Sequence, residues 1–202
     1  MDGQLLKGTS VNDALISFGT KPGAGLGTLS GGAGDDTYTV YSSKIRIIED
    51  AGGGIDTVRS HWTYALPDNV ENLTLVGKGP NSAFGNALNN IIIGNTAKNV
   101  IEGGAGNDEL SGGGNNDSFI VKGHDIIMDW SVGDNINLMN FSAFKSFTQV
   151  KSAITQVGAD AVLKLGSTDS VTFKNTSAAS LTNSAFVLAN QVQTYKQTFG
   201  DE

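Results

Sequence analysis

The sequence predicts an all-β solenoid, in which short parallel strands alternate with tight turns around one apolar core. From Pro67 to Val121 it repeats every nine residues, reading PDNVENLTL, VGKGPNSAF, GNALNNIII, GNTAKNVIE, GGAGNDELS and GGGNNDSFI. The sixth place holds Asn72, Asn81, Asn90, Asn99, Asp108 and Asp117, so a carboxamide or carboxylate recurs without a gap. The eighth place of the last five blocks holds Ala83, Ile92, Ile101, Leu110 and Phe119. Nine residues of this kind make one strand and one turn, and copies must stack to bury their single apolar row.

The turns point to a chemistry. Gly103-Gly104-Ala105-Gly106-Asn107-Asp108 and Gly31-Gly32-Ala33-Gly34-Asp35-Asp36 place glycines where the backbone can take positive φ and aim carbonyls inward, with an aspartate beside them. Hard oxygen donors in flexible geometry suit Ca²⁺, which takes about six to eight of them. A soft-metal site is excluded, because the chain has no cysteine and its two histidines, His61 and His124, are far apart.

Composition agrees. The net charge is −7, with 15 Asp against 5 Glu, which argues against a nucleic-acid partner and for a cation. Without disulfides, stabilisation must come from elsewhere, and bound Ca²⁺ could supply it. No apolar run approaches a membrane span, and no basic segment followed by an apolar one marks a cleavable signal at the N-terminus.

These turns resemble the RTX family, the hemolysin-type calcium-binding repeat proteins, whose nonapeptide is G-G-x-G-x-D-x-U-x with U apolar. GGAGDDTYT at 31–39 and GGAGNDELS at 103–111 match outright, and AGGGIDTVR at 51–59 keeps Gly52, Gly54, Asp56 and Val58 in phase. GGGNNDSFI keeps Gly113 and Asp117 but has Asn115 where the third glycine belongs. The resemblance implies a right-handed parallel β-roll capped by a carboxy-terminal β-meander, with Ca²⁺ between turns one coil apart. By it, Gly32, Gly34 and Asp36 face Gly52, Gly54 and Asp56 across an ion, although the blocks start 20 residues apart, two more than a doubled repeat. It also pairs Asn90 with Asp108, beside Gly104 and Gly106, and Asn99 with Asp117. A mixed pair binds more weakly than two carboxylates, so the Asp36/Asp56 site is expected to be the tighter. For Asn72 and Asn81 a hydrogen-bonded ladder in metal-free turns is preferred, while Asn90 and Asn99 remain open between ladder and ligand.

In chain order, residues 1–122 are expected to form the roll: degenerate copies over 8–30, two better ones over 31–59, a strand-rich insertion at 60–66, and regular nonapeptides over 67–120. Asp13 and Leu15 fit the first degenerate copy, and PGAGLGTLS at 22–30 the second. Strands are expected over 37–41, 44–48 and 57–66. Residues 123–190 resemble the segment that closes many RTX domains and carries the uncleaved type I export signal. There Ile126, Met128 and Trp130, then Ile136 and Leu138, read as two half-buried strands. Asp125, 17 residues after Asp108, either supplies a last carboxylate or caps a turn. Residues 147–190 read as a meander, with a hairpin of 161–165 and 170–174, and 191–202 as a tail.

No catalytic motif is present: no G-x-S-x-G, no H-E-x-x-H, no phosphate-binding glycine loop, and no obvious base or nucleophile beside either histidine. Asp35 beside Asp36, and Glu49 before Asp50, read as loop charge or outer calcium ligands and not as an acid–base pair. The expectation is a non-enzymatic, monomeric, extracellular bacterial module that folds on Ca²⁺ and serves type I export of a larger protein. The alternative is a calcium-dependent module binding an extracellular polysaccharide, with Tyr38, Tyr41, Lys44, Trp62 and Tyr64 as a platform, although aromatics in strands more often pack into a core or edge.

Overall fold

The computed structural model describes residues 4–17 and 27–189. Its strands, in chain order, are β1 (Gln4–Lys7), β2 (Ala14–Ile16), β3 (Gly27–Ser30), β4 (Thr37–Val40), β5 (Arg46–Ile47), β6 (Thr57–Ser60) and β7 (Tyr64–Ala65). The regular repeats supply β8 (Asn72–Leu75), β9 (Ser82–Phe84), β10 (Ile91–Ile93), β11 (Val100–Glu102), β12 (Glu109–Ser111) and β13 (Ser118–Ile120). After them come β14 (His124–Ile127), β15 (Asn135–Asn137), helix α1 (Phe147–Ser152), β16 (Ile154–Val157), β17 (Asp160–Lys164), β18 (Ser170–Phe173) and β19 (Phe186–Val187). The first part of the 22–30 copy and the 191–202 tail lie outside the described residues.

Odd and even strands separate, as a two-sided coil requires. β2, β4, β6, β8, β10, β12 and β14 run parallel in one sheet, which β18, β17 and β16 extend to 10 strands. β7, β9, β11, β13, β15 and β19 form a second, six-stranded sheet, and β1, β3 and β5 a third. Only the middle residue of each three-residue repeat strand is buried. Register then aligns Leu73, Ile92, Leu110 and Ile127 in one interior row and Ala83, Ile101, Phe119 and Ile136 in the other, all 0% exposed. Each large side chain in these rows contributes about 1.5–3 kcal/mol.

The carboxy-terminal cap closes both sheets. β18 adds to β14 in parallel, β17 and β16 follow as an antiparallel meander, and β19 adds to β15. Trp130 packs edge-on against Phe173 with ring centroids 4.9 Å apart, sealing the end of the core.

Four details differ from the sequence reading. Residues 147–152 form a helix, because Ser146 and Gln149 make a capping box at its start. The inward phase of β14 is Asp125 and Ile127, while Met128 is 42% exposed; the aspartate takes the inward place that an apolar alternation assigns to its neighbours. Asn72 lies one residue past the ladder position, opposite Thr57, and Glu71 occupies the position instead. Tyr38 and Tyr64 are core residues at 0% and 5% exposure, so they offer no surface platform.

Between β4 and β6 the chain leaves the regular coil. The excursion 41–50 sends β5 to pair with β3, so the sheet on this side is interrupted between β5 and β7. The Tyr64 hydroxyl donates to the carbonyl of Ile45 at 3.0 Å and Asn69 Nδ2 to that of Glu49 at 3.0 Å, tying the excursion back.

Candidate metal centre

The sixth-place side chains form two buried ladders. On one edge the N–H of Asp13 donates to Oδ1 of Asp36 (2.7 Å), that of Asp36 to Oδ1 of Asp56 (2.8 Å), and that of Asp56 to Oε2 of Glu71 (2.8 Å). The same edge continues from Asn90 to Asp108 (2.7 Å) and from Asp108 to Asp125 (3.1 Å). On the other edge Asn99 donates to Asp117 and Asp117 to Asp134, both at 2.8 Å. One oxygen of each carboxylate thus bonds a backbone N–H one coil earlier, which fixes the coil spacing.

Glycine spacing follows from these side chains. A Cβ on Gly31, Gly103 or Gly112 would collide with Oδ2 of Asp36, Asp108 or Asp117 of the same turn. Gly104 and Gly106 take φ of 97° and 118°, as do, at comparable angles, Gly32, Gly34, Gly52 and Gly113. Gly54 has no positive φ; a Cβ there would collide with the carbonyl of Gly34. Asn115 takes φ 69°, doing the work of the missing glycine.

The second oxygens separate the sites. Oδ2 of Asp36, Asp56 and Asp108, with Oε2 of Glu49, are buried and have no hydrogen-bond partner among the described residues. Asp125 and Asp134 are satisfied on both oxygens, since their Oδ2 atoms accept the N–H of Lys122 (2.9 Å) and Ser131 (2.8 Å). Asn90 and Asn99 are also engaged within the protein: their Oδ1 atoms accept from Asn86 and Asn95, and their amides donate to the carbonyls of Glu71 and Asn81. Asn81 donates to the carbonyl of His61.

Glu49, which reads in the sequence as loop charge or an outer calcium ligand, lies inside the site. It comes from the excursion, lies 7% exposed, and accepts the Gly31 N–H at 3.2 Å. One oxygen each from Asp36, Glu49 and Asp56 lie within 4.8 Å of one another. The only hint in the sequence was the acidic pair that ends the excursion, immediately before a glycine turn. Burial, then the charges of Asp56 and Asp36, pushes Glu49 up to about 7. Burial holds Asp56 at about 6, Asp117 at about 6 and Asp125 at about 7, and raises Asp108. Buried carboxylates held close with free oxygens fit a hard cation.

Neither histidine lies near this centre. His61 stacks on Tyr41 with ring centroids 4.3 Å apart, and His124 Nδ1 lies 2.9 Å from Ser170 Oγ on the neighbouring strand, a contact not apparent in the sequence. Both oxygens of the nearby Asp169 are taken, by the Gly123 N–H and the Thr168 hydroxyl.

Comparison with known proteins agrees with this geometry. The RTX calcium-binding nonapeptide repeat matches residues 23–39 and 84–119, in four copies. The chain is 44% identical over 203 aligned residues to the endo-1,3-1,4-beta-glycanase ExsH of Rhizobium meliloti and 42% identical to EglC of the same organism. Each alignment covers 99% of this chain and 42% of the relative. Among solved structures, the extracellular lipase LipA of Serratia marcescens aligns over 94% of this chain and 40% of its own, at 17% identity and a TM-score of 0.40. With its repeats, coils and turns accounted for, the chain carries RTX calcium-binding nonapeptide repeats, and the metal of those repeats is Ca²⁺.

Proposed function

We propose that this chain is a calcium-dependent folding module of a larger secreted protein, without catalytic residues of its own. The observation that carries this reading is the set of four buried, unpartnered carboxylate oxygens. An uncompensated buried charge costs about 3–5 kcal/mol, so these groups oppose the coil unless a cation faces them. When bound, Ca²⁺ supplies that charge and accepts the free oxygens as ligands.

Asp36 and Asp56, with the turns of Gly32, Gly34, Gly52 and Gly54, would hold one ion. Asp108, with the turns of Gly104 and Gly106 and Asp125 one coil on, would hold another. Asp117, with Gly113 and Asn99, forms the corresponding place on the other edge. In the absence of metal the aspartates repel, so the coil is weakened where Ca²⁺ is scarce and closes firmly where it is abundant, outside a cell. Residence outside the cell, use of type I export and attachment to a polysaccharide-acting enzyme belong to this proposal; the RTX repeat and the names of the two relatives support them. Dilution of urea-unfolded chain into Ca²⁺ or into chelator tests it. A much lower urea midpoint in chelator than in Ca²⁺ is expected, and equal refolding in both would overturn it.

A second reading rests on one surface. Tyr41, His61, Trp62, Lys78 and Asn81 line a shallow groove, and Trp62 is 42% exposed. A stacked aromatic pair beside a free indole suits a sugar ring, and we propose polysaccharide binding as an accompanying role. Retention on a β-glucan column in Ca²⁺ that is lost in Trp62→Ala supports it; no retention of the unaltered chain rules it out.

A further inference from the structure

The regular ladder brings at most two sixth-place side chains of neighbouring coils together, and at every coil but one the remaining partners are backbone groups, asparagines or the hydroxyls of Thr9 and Ser131. The exception is where the excursion 41–50 returns. There Glu49, which belongs to no nonapeptide, turns inward against Asp36 and Asp56. We propose that Glu49, Asp36 and Asp56 form a three-carboxylate Ca²⁺ site in which Glu49 is a direct ligand, and that this site docks the excursion onto the coil. The proposal rests on the reading that the repeats bind Ca²⁺.

Three observations support it. Each of the three carboxylates has one oxygen that is buried and unpartnered, with exposures of 1% for Asp36, 7% for Glu49 and 0% for Asp56. Donors on opposite sides of a Ca²⁺ stand about 5 Å apart, twice the usual Ca–O distance, and one oxygen from each of the three carboxylates lies within 4.8 Å of the other two. No cation of the protein compensates them: among the described residues the only ion pair is Lys174 with Asp160, elsewhere in the fold.

The topology gives the site a consequence. Asp36 precedes β4, Asp56 precedes β6, and Glu49 follows β5, an edge strand of the β1–β3–β5 sheet. One ion held by all three joins two coils of the main sheet to that separate sheet. Three charges in place of one or two also make it the tightest site, since affinity follows ligand charge.

The test is a Ca²⁺ titration by calorimetry of the full chain and of Glu49→Gln, with trypsin digestion in parallel. Lys44 and Arg46 are exposed on the excursion and report its docking. In the unaltered chain, Ca²⁺ is expected to protect both bonds at the concentration that fills the tightest site. In Glu49→Gln that site weakens by roughly tenfold or more, protection shifts with it, and the weaker sites are unchanged. In chelator, Glu49→Gln melts at or above the unaltered chain, because a repulsive charge is gone. Identical titrations of the two proteins would overturn the inference while leaving the calcium reading intact. A lower melting point of Glu49→Gln in chelator would assign Glu49 a structural role and overturn it as well. No Ca²⁺ uptake by the unaltered chain would overturn both.

Discussion

The N–H of Asp36 donates to Oδ1 of Asp56 at 2.8 Å across 20 residues of sequence, while Oδ2 of each is buried without a partner. The two oxygens of one carboxylate therefore divide the work. One sets the rise between coils and the other is left for a cation. The same division recurs at Asp108, which accepts the Asn90 N–H and keeps Oδ2 free.

Glycine at the first place of a turn is required by the aspartate at the sixth. Gly103→Ala would drive a methyl into Oδ2 of Asp108 and is expected to cost about 1–3 kcal/mol in urea unfolding with Ca²⁺ present. Gly166→Ala meets nothing within 4 Å and is expected to change stability by less than about 0.5 kcal/mol. Equal costs at the two positions would contradict the packing account.

Metal-free stability is expected to fall as pH rises. Glu49 and Asp125 are held at about 7, and Asp56 and Asp117 at about 6, against ordinary values of 4.5 for the glutamate and 3.8 for the aspartates. The folded chain therefore binds these protons more tightly than the unfolded one. That contribution is complete below the ordinary values and is lost as pH climbs through the raised ones. In chelator the melting temperature should drop between about pH 5 and pH 7.5, and Ca²⁺ should restore it most at the higher pH, where the ligands are deprotonated. A melting temperature that rises with pH in chelator would contradict this.

Asn99→Asp exchanges a satisfied amide for a carboxylate beside Asp117. The amide donates to the carbonyl of Asn81 at 2.8 Å, and losing that bond should cost about 1–3 kcal/mol without metal. With Ca²⁺ the added charge should strengthen binding on that edge. Opposite signs in chelator and in Ca²⁺ are the expected result, read from paired melts. A loss in both conditions would mean that the edge holds no ion.

Much of this was legible in the sequence, for a physical reason. A nine-residue period with one apolar place admits a single buried row per sheet, so Ile92, Ile101, Leu110 and Phe119 could be placed in the core directly. The facing of Asp36 and Asp56 followed from the resemblance to RTX proteins, which implies one coil per pair of repeats. What was hidden depends on departures from the period. Glu71 replaces Asn72 because the chain between 56 and 71 is shorter than a doubled repeat, and a fixed frame of nine cannot show that slip. Glu49 joins the centre only because β5 pairs with β3 and turns the excursion inward, a tertiary choice that no local pattern encodes. Tyr38 and Tyr64, candidates for a platform against the commoner core packing of strand aromatics, follow the core packing: Tyr38 stands at the apolar eighth place of its block.

The central claim is that the coil closes around Ca²⁺. Far-ultraviolet circular dichroism and thermal melting during a Ca²⁺ titration, with Mg²⁺ as the control, test it most directly. A Ca²⁺-specific gain of β signal or a large rise in melting temperature, with little response to Mg²⁺, is the predicted result. A β signal and melting temperature unchanged by millimolar Ca²⁺ would contradict it, and would mean that the asparagine ladder holds the solenoid together unaided.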